Sequence, residues 1–392
     1  MQMNGKWIRI VAGAITGAYV VGCANVTVWA AEVRPAPPTV SARAVELMDP
    51  ASGQVLYAEH AELTLPMASL TKVMTLFLAL KSLQQGTIRL DEPVPVSEAA
   101  YRIGGSQIWL EPGEMVTVEQ LLKAVAVGSA NDAAYALGEF LGGSEPAFVA
   151  EMNRTAERLG MRHTHFANAH GLNMPDHHTT AGDMAILARA ALRVPGLLHY
   201  TSLWEDRSIR NGKGGTLWLI NHNRLLRQYP GADGLKTGYT REAGYCVVAT
   251  AQRAGERMLA VVLGAPTSKI RFADAETLMT WGFQHFGTVS VARPNQTLGR
   301  IPVRQGAVRA VRAVVPGGFY LTLRKRETKD LRAAVRLVKT VTAPVERGKP
   351  LGEIVARLGG RVVSRRTLVA ATRVPRAHWL GRAIRYWQRL VG

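Results

Sequence analysis

Cysteine is almost missing from this chain, which limits its chemistry. The 392 residues include two cysteines, Cys23 in an N-terminal apolar segment and Cys246 in an apolar run typical of a strand. We therefore expect no intramolecular disulfide. Cys246 fits best as a small buried apolar residue.

Metal-binding patterns are also missing. His170, His177, His178 and His222 lack the paired spacing of a metal-binding helix, and no carboxylate cluster accompanies them. We expect neither a metal nor any other cofactor.

Acidic residues are scarce in the C-terminal quarter. The chain has 48 basic and 29 acidic residues, a net charge of +19, and residues 293–392 hold 23 of the basic and 4 of the acidic ones. The preceding part is therefore balanced, with 25 of each. This change in composition predicts a domain boundary near residues 287–294. It also leaves open a non-enzymatic, basic protein that binds nucleic acid or wall polymers.

The N-terminus has the pattern of an export signal over residues 1–30. Lys6 and Arg9 precede an apolar run, and small residues provide a cleavage point near Ala30. A lipoprotein-like box ending at Cys23 and retention of the uncleaved segment are alternatives. Export argues against nucleic acid as a partner.

Three short motifs follow one another in the chain. Each alone is weak evidence, but together they supply the parts of one acyl-transfer site. They are Ser69-Leu70-Thr71-Lys72, Ser129-Ala130-Asn131 and Lys236-Thr237-Gly238.

The first motif provides a nucleophile and a base. Apolar residues at helical spacing predict a helix that starts near Ser69 and places Lys72 one turn later on the same side. A lysine can take the serine proton only when it is neutral, so burial or a nearby cation such as Lys236 must lower its pKa. A capping serine beside a solvated lysine is the alternative for this motif alone.

The second motif lies in a run of small residues, 128–132, that predicts a tight loop between two helices. Ser129 is then placed to relay a proton, and Asn131 to hold a substrate amide. A simple helix N-cap is the alternative.

The third motif precedes a predicted strand pair with a turn at residues 254–256. Lys236 and Thr237 on a strand edge suit a substrate carboxylate, and Gly238 lets the substrate lie against the strand. The backbone N–H groups of Tyr239 and Ser69 are candidates for an oxyanion hole. A polar edge strand protected by a lysine is the alternative.

With these motifs, the chain resembles the low-molecular-mass penicillin-binding proteins of the serine D-alanyl-D-alanine carboxypeptidase type, over nearly everything after the leader. The resemblance implies that a peptide ending in D-Ala-D-Ala acylates Ser69, that terminal D-Ala leaves, and that β-lactam antibiotics trap the serine. It also implies that Arg271, ten residues before Trp281, helps to bind the terminal carboxylate. The supporting stretches are Pro66-Met67-Ala68-Ser69, Asn168-Ala169-His170-Gly171-Leu172, Asn223-Arg224-Leu225-Leu226, Asp233-Gly234-Leu235-Lys236 and Thr280-Trp281-Gly282-Phe283.

The sequence departs from the family pattern at two positions, and three other functions stay open. Gly182 stands where relatives often carry Arg, and Tyr239 where they often carry His. A D,D-endopeptidase would use the same site on wall cross-links. A β-lactamase would need a Glu-x-x-Leu-Asn loop, which is not found, and a basic wall-binding protein would need no catalysis.

The expected architecture is an α+β fold. Residues 41–287, after a linker at 31–40, should form an antiparallel sheet flanked by helices with a helical lobe, including two short strands around residues 49–53. Residues 288–360 should form a small all-β domain, with a charged connector at 361–366.

The tail, residues 361–392, should end in a basic amphipathic helix. Trp379 and Trp387 fall on one face, while four arginines occupy the other: Arg376, Arg382, Arg385 and Arg389. Such a helix suits an anionic membrane surface and is too short and too charged to span a bilayer. The expected location is the periplasmic face of the cytoplasmic membrane, with a terminal helix docked on its own protein as the alternative.

Overall fold

The computed structural model describes residues 4–6, 36–210 and 215–377. The rest of the expected export signal and the expected C-terminal helix lie outside these residues. The chain divides into two units, Pro35–His285 and Phe286–Gly392, the latter together with Met1–Arg34. Strand β1 (Asn4–Lys6) belongs to the second unit.

The first unit combines one main sheet with a set of helices. Its strands are β2 (Ala44–Asp49), β3 (Gln54–Glu59), β4 (Pro93–Pro95), β5 (Met115–Thr117), β6 (Glu205–Asp206), β7 (Leu219–Ile220), β8 (Ala232–Thr240), β9 (Gly244–Arg253) and β10 (Glu256–Ala265). Its helices are α1 (Lys72–Gln85), α2 (Glu98–Arg102), α3 (Val118–Lys123), α4 (Asn131–Gly142), α5 (Glu145–Leu159), α6 (Ala181–Ala191), α7 (Leu197–Thr201), α8 (Leu225–Gln228) and α9 (Ser268–His285).

The main sheet has the strand order β3-β2-β10-β9-β8, and each neighbouring pair is antiparallel. The two strands expected around residues 49–53 and the hairpin with its turn at 254–256 are confirmed. Ala254 and Gly255 both have positive φ, +48° and +83°, as a two-residue hairpin turn requires. Strand β8 is the end strand of this sheet in the described structure, so it offers one edge to a ligand.

Helix α1 lies in the core of the first unit, and its residues 72–80 are all buried. It ends at Gly86, whose φ of +70° is the usual left-handed helix stop. The expected helix after the first motif is confirmed, although a 3-10 turn, Ala68–Thr71, precedes the α-helix. Helices α6 and α9 pack on the main sheet, where Gly282 approaches the side chains of Met258 and Leu47.

The described part of the second unit, residues 4–6 and 286–377, is all-β apart from one 3-10 turn, Lys325–Asp330. Its main sheet has the order β1-β15-β17-β18-β13-β12-β16, and β11 pairs with β14. A separate core of aliphatic side chains and Phe319 supports it. The strands are β11 (Phe286–Ala292), β12 (Thr297–Arg304), β13 (Ala310–Val314), β14 (Phe319–Arg324), β15 (Leu331–Leu337), β16 (Val341–Thr342), β17 (Pro350–Leu358) and β18 (Arg361–Ala370).

The charged connector expected at residues 361–366 is wrong, because these residues open strand β18. The sheet therefore continues beyond residue 360, where the small β domain was expected to end. Most side chains in the first half of β18 are exposed, so they show no apolar alternation. Among residues 4–6, 36–210 and 215–377, no helix is long and apolar enough to cross a membrane.

Candidate active site

Ser69 sits in the 3-10 turn immediately before α1, and the turn is crowded on two sides. A Cβ on Gly171 would lie 2.1 Å from the Ala68 carbonyl oxygen, and a Cβ on Gly238 would lie 3.1 Å from the Ser69 nitrogen. Ala68 itself has a φ of +48°, which is unusual for a residue with a side chain. Two glycines therefore allow the backbone to pack tightly around the candidate nucleophile.

Lys72 is fully buried and meets Ser69 as the sequence predicted. Its Nζ lies 3.0 Å from Ser69 Oγ, 2.6 Å from Asn131 Oδ1 and 2.5 Å from the His170 carbonyl oxygen. The last two oxygens can only accept hydrogen bonds. A neutral amine would give them its two N–H groups and leave its lone pair facing the serine hydroxyl.

The electrostatics favour that neutral amine. Burial lowers the pKa of Lys72 well below its usual value, and the positive charge of Lys236 lowers it further, against a smaller opposite effect of Asp132. Desolvation and a neighbouring cation thus both favour the unprotonated lysine that proton transfer from Ser69 requires.

The second motif brings Ser129 and Asn131 into the same buried region, each 3% exposed. Ser129 has left-handed backbone angles (φ 57°, ψ 30°) after a π-helical turn, Ala124–Gly128. Asn131 starts α4, and its Nδ2 donates to the Gly104 carbonyl at 2.8 Å. Since its Oδ1 accepts from Lys72, both ends of this amide are engaged within the protein.

The third motif lies on β8, and its backbone runs beside the nucleophile turn. Lys236 is 3% exposed and its Nζ donates to the Thr237 carbonyl at 3.1 Å. Burial, with help from the Arg271 charge, lowers the pKa of Lys236 to about 7. The site therefore holds two buried amines with different surroundings, one against the serine and one on the strand edge.

Comparison with known proteins agrees with this geometry. A model of the D-alanyl-D-alanine carboxypeptidase family matches residues 31–267, and one of the penicillin-binding protein 5 C-terminal domain matches residues 286–376. The chain belongs to the D-alanyl-D-alanine carboxypeptidase family. Its relatives include DacC of Escherichia coli (37% identical, covering 91% of this chain and 90% of the relative) and DacF of Bacillus subtilis (36%, covering 86% and 87%).

The solved structure of penicillin-binding protein 5 from Haemophilus influenzae is similar to this carboxypeptidase fold. It has a TM-score of 0.75 at 31% identity and covers 87% of this chain and all of that one. The family match and these relatives show that the chain is a serine D-Ala-D-Ala carboxypeptidase, an enzyme that acts on peptidoglycan and binds β-lactams. The α+β class and the all-β C-terminal domain are confirmed.

Arg271 and Tyr239 occupy different places in this carboxypeptidase fold. Arg271 is 6% exposed, and its guanidinium donates to the carbonyls of Gly238 (3.2 Å) and Cys246 (3.3 Å). Tyr239 is 55% exposed, and its ring lies 4.3 Å from that of Tyr245. The guanidinium thus supports the backbone of the third motif, while Tyr239 faces solvent at the end of that strand.

Sequence reasoning missed two buried groups that hold the carboxypeptidase site. Asp132 is fully buried and accepts from the backbone N–H groups of Ile108 (3.0 Å) and Leu110 (3.2 Å), which fixes the loop next to Asn131. The place of Asp132 in the sequence could not reveal these hydrogen bonds, because an aspartate there also fits the N-terminus of a helix.

The second missed group is His177. Its Nδ1 accepts from the Ala167 N–H at 2.9 Å, so its Nε2 carries the proton and donates to Thr71 Oγ1 at 2.7 Å. Thr71 Oγ1 in turn donates to the Ala68 carbonyl at 2.8 Å. Burial lowers the pKa of His177 to about 4, so the ring stays neutral at physiological pH. These bonds anchor the turn that carries the candidate nucleophile.

Proposed function

We propose that this protein removes the terminal D-Ala from peptidoglycan stem peptides through a covalent Ser69 acyl-enzyme. The observation that carries the proposal is the contact of 3.0 Å between Nζ of the fully buried Lys72 and Oγ of the partly exposed Ser69. A buried amine with two acceptor-only neighbours is suited to take the serine proton.

In the acylation step, Lys72 accepts the Ser69 proton as the serine oxygen attacks the carbonyl carbon between the two D-Ala residues. The backbone N–H groups of Ser69 and Tyr239 stabilise the oxyanion. The proton passes by way of Ser129 to the leaving amine, and free D-Ala departs as the C–N bond breaks. Asn131 holds Lys72 in place.

The terminal carboxylate of the substrate binds at the third motif. The Lys236 ammonium and the Thr237 hydroxyl meet it on the open edge of β8, and Gly238 leaves space for the peptide. Arg271 positions this edge through its hydrogen bond to the Gly238 carbonyl. Water then hydrolyses the ester, with Lys72 as the base, and regenerates Ser69.

Three substrates distinguish a carboxypeptidase from a D,D-endopeptidase and from a β-lactamase. The purified protein is incubated with a pentapeptide ending in D-Ala-D-Ala, with cross-linked muropeptides and with penicillin. We expect release of one D-Ala per pentapeptide, little cleavage of the cross-linked muropeptides, and a long-lived penicilloyl adduct with penicillin. Cleavage mainly of cross-links, or rapid penicillin turnover, would overturn the carboxypeptidase assignment.

We further propose that the protein is exported and works at the periplasmic face of the cytoplasmic membrane in wall maturation. The leader pattern at residues 1–30 supports export, and the Trp/Arg pattern at residues 379–389 supports peripheral binding to anionic lipid. Nucleic acid is not a partner in this proposal. Salt-sensitive binding to anionic vesicles that is lost on truncation after Ala377 would support it, and tight DNA binding without vesicle binding would refute it.

A further inference from the structure

The last described residues pair with the turn between β12 and β13. The Ala377 N–H donates to the Gln305 carbonyl at 2.9 Å, and the Ala307 N–H donates to the Pro375 carbonyl at 2.8 Å. Gly306 and Arg376 form an isolated antiparallel bridge. The 15 residues that follow Ala377 in the sequence include two tryptophans and three arginines.

This place, here called the exit tip, consists of Arg304, Val308, Arg309 and Arg376. All four are exposed, and Val308 has 51% of its surface accessible. No acidic residue occurs in residues 304–312 or 371–377, and nearby Glu346 pairs with Arg373 at 3.2 Å. An exposed apolar side chain among arginines, without acidic residues in these segments, fits the boundary between lipid headgroups and acyl chains.

The backbone holds the exit tip in one shape. The Val303 N–H donates to the Arg309 carbonyl at 2.9 Å and closes the turn. A Cβ on Gly306 would lie 2.6 Å from Val303 Cγ1 and 3.1 Å from Val374 Cγ1. Val308 is thus presented outward by a tightly packed turn, so little ordering entropy is lost when it meets a surface.

We infer that the exit tip is a second membrane-contact site, which inserts Val308 into the interface of an anionic bilayer with its arginines on lipid phosphates. The inference rests on the proposed surface binding of the tail, because that tail brings the tip to the membrane. It goes beyond that proposal by placing a folded β-turn in the interface and by fixing which end of the second unit meets the lipid.

The chain supplies a matched control at the other end of β18. Val362, in the β17–β18 hairpin, is 38% exposed and lies next to Arg361. Residues 362–376 span as much as about 45 Å when extended. Both valines are exposed and stand next to an arginine in the chain, but they occupy different positions in the second unit.

The test places an environment-sensitive fluorophore on Val308→Cys or on Val362→Cys in the purified protein with Cys23→Ser. Cys246 is fully buried and burial raises the pKa of its thiol to about 11, so it should not react. Each protein is mixed with vesicles of neutral lipid alone or with anionic lipid added. We expect a blue shift and stronger emission at position 308 with anionic vesicles, and no change at position 362.

Arginine exchange gives a second reading. Arg304→Gln should weaken partition to anionic vesicles about fivefold, and Arg361→Gln should leave it within about twofold. Equal responses at both tips, a response to neutral vesicles as strong as to anionic ones, or co-sedimentation with no response at position 308 would each overturn the inference. Absence of vesicle binding would overturn it together with the tail proposal, while D-Ala release from soluble peptide in the same preparation tests the enzymatic proposal separately.

Discussion

Exchanging Lys236 for arginine should raise the pH above which kcat/KM falls. The Lys236 ammonium is 3% exposed, and burial and Arg271 lower its pKa from the usual 10.5 to about 7. In the free enzyme this amine is therefore about half neutral at pH 7. Because only the charged form attracts the substrate carboxylate, kcat/KM for D-Ala release should fall as the pH rises above about 7.

The size of the effect follows from the same values. A pKa lowered from 10.5 to about 7 corresponds to about 5 kcal/mol in favour of the neutral amine, at 1.36 kcal/mol per pH unit. A guanidinium stays charged in proteins even where an amine does not. In Lys236→Arg the fall in kcat/KM should therefore move from about pH 7 to above about pH 9.

The assay is the pH profile of kcat/KM, which reports groups of the free enzyme. The larger arginine can lower kcat/KM at every pH. The readout is therefore the pH at which kcat/KM falls on the alkaline side, and not the maximum value of kcat/KM. Lys269→Arg, the same exchange at an exposed position, serves as the control and should leave the profile unchanged. An alkaline limb that stays in place in Lys236→Arg would show that another group governs it.

Three further substitutions test the packing around the site. Gly171→Ala should cost more than about 2 kcal/mol of stability and abolish penicillin labelling, because its Cβ would lie 2.1 Å from the Ala68 oxygen at a φ of +95°; thermal melting and labelling measure this. His177→Phe should slow acylation by about tenfold or more, since buried groups lose about 1–3 kcal/mol of hydrogen bonding; an unchanged penicillin acylation rate would refute it. Burial raises the pKa of Glu46 from 4.5 to about 7, so the fold loses stability as the pH rises through that window. Gly182→Arg places a guanidinium beside the Glu46 carboxyl, and it should raise Tm more at pH 8, where that carboxyl is charged, than at pH 5. An equal rise at both pH values would contradict an ion pair between the two groups.

Local patterns predicted those parts of the fold that local chemistry determines. The helix after Ser69 follows from apolar spacing, and the β9–β10 hairpin follows from two apolar runs on either side of a turn at Ala254 and Gly255. Strand β18 was missed because its first six residues include Arg361, Arg365 and Arg366 and none of the six is buried. A strand held mainly by backbone pairing to β17 leaves no apolar period in the sequence.

The sequence predicted which residues form the candidate site better than it predicted which atoms they contact. Helical spacing within the first motif predicted the contact between Lys72 and Ser69, but the contact of Lys72 with the His170 carbonyl depends on a loop 98 residues away. The amide of Asn131 is engaged by Lys72 and Gly104, which spacing within a motif cannot reveal. Such long-range backbone contacts are set by the tertiary fold and leave little trace in a single sequence.

The central claim is that Ser69 is the residue acylated. The most direct measurement is intact-mass analysis after brief exposure to penicillin, followed by peptide mapping of the adduct. We expect one penicilloyl group per chain, located on the peptide that contains Ser69, and none in Ser69→Ala. An adduct on another residue, or one retained in Ser69→Ala, would contradict the account.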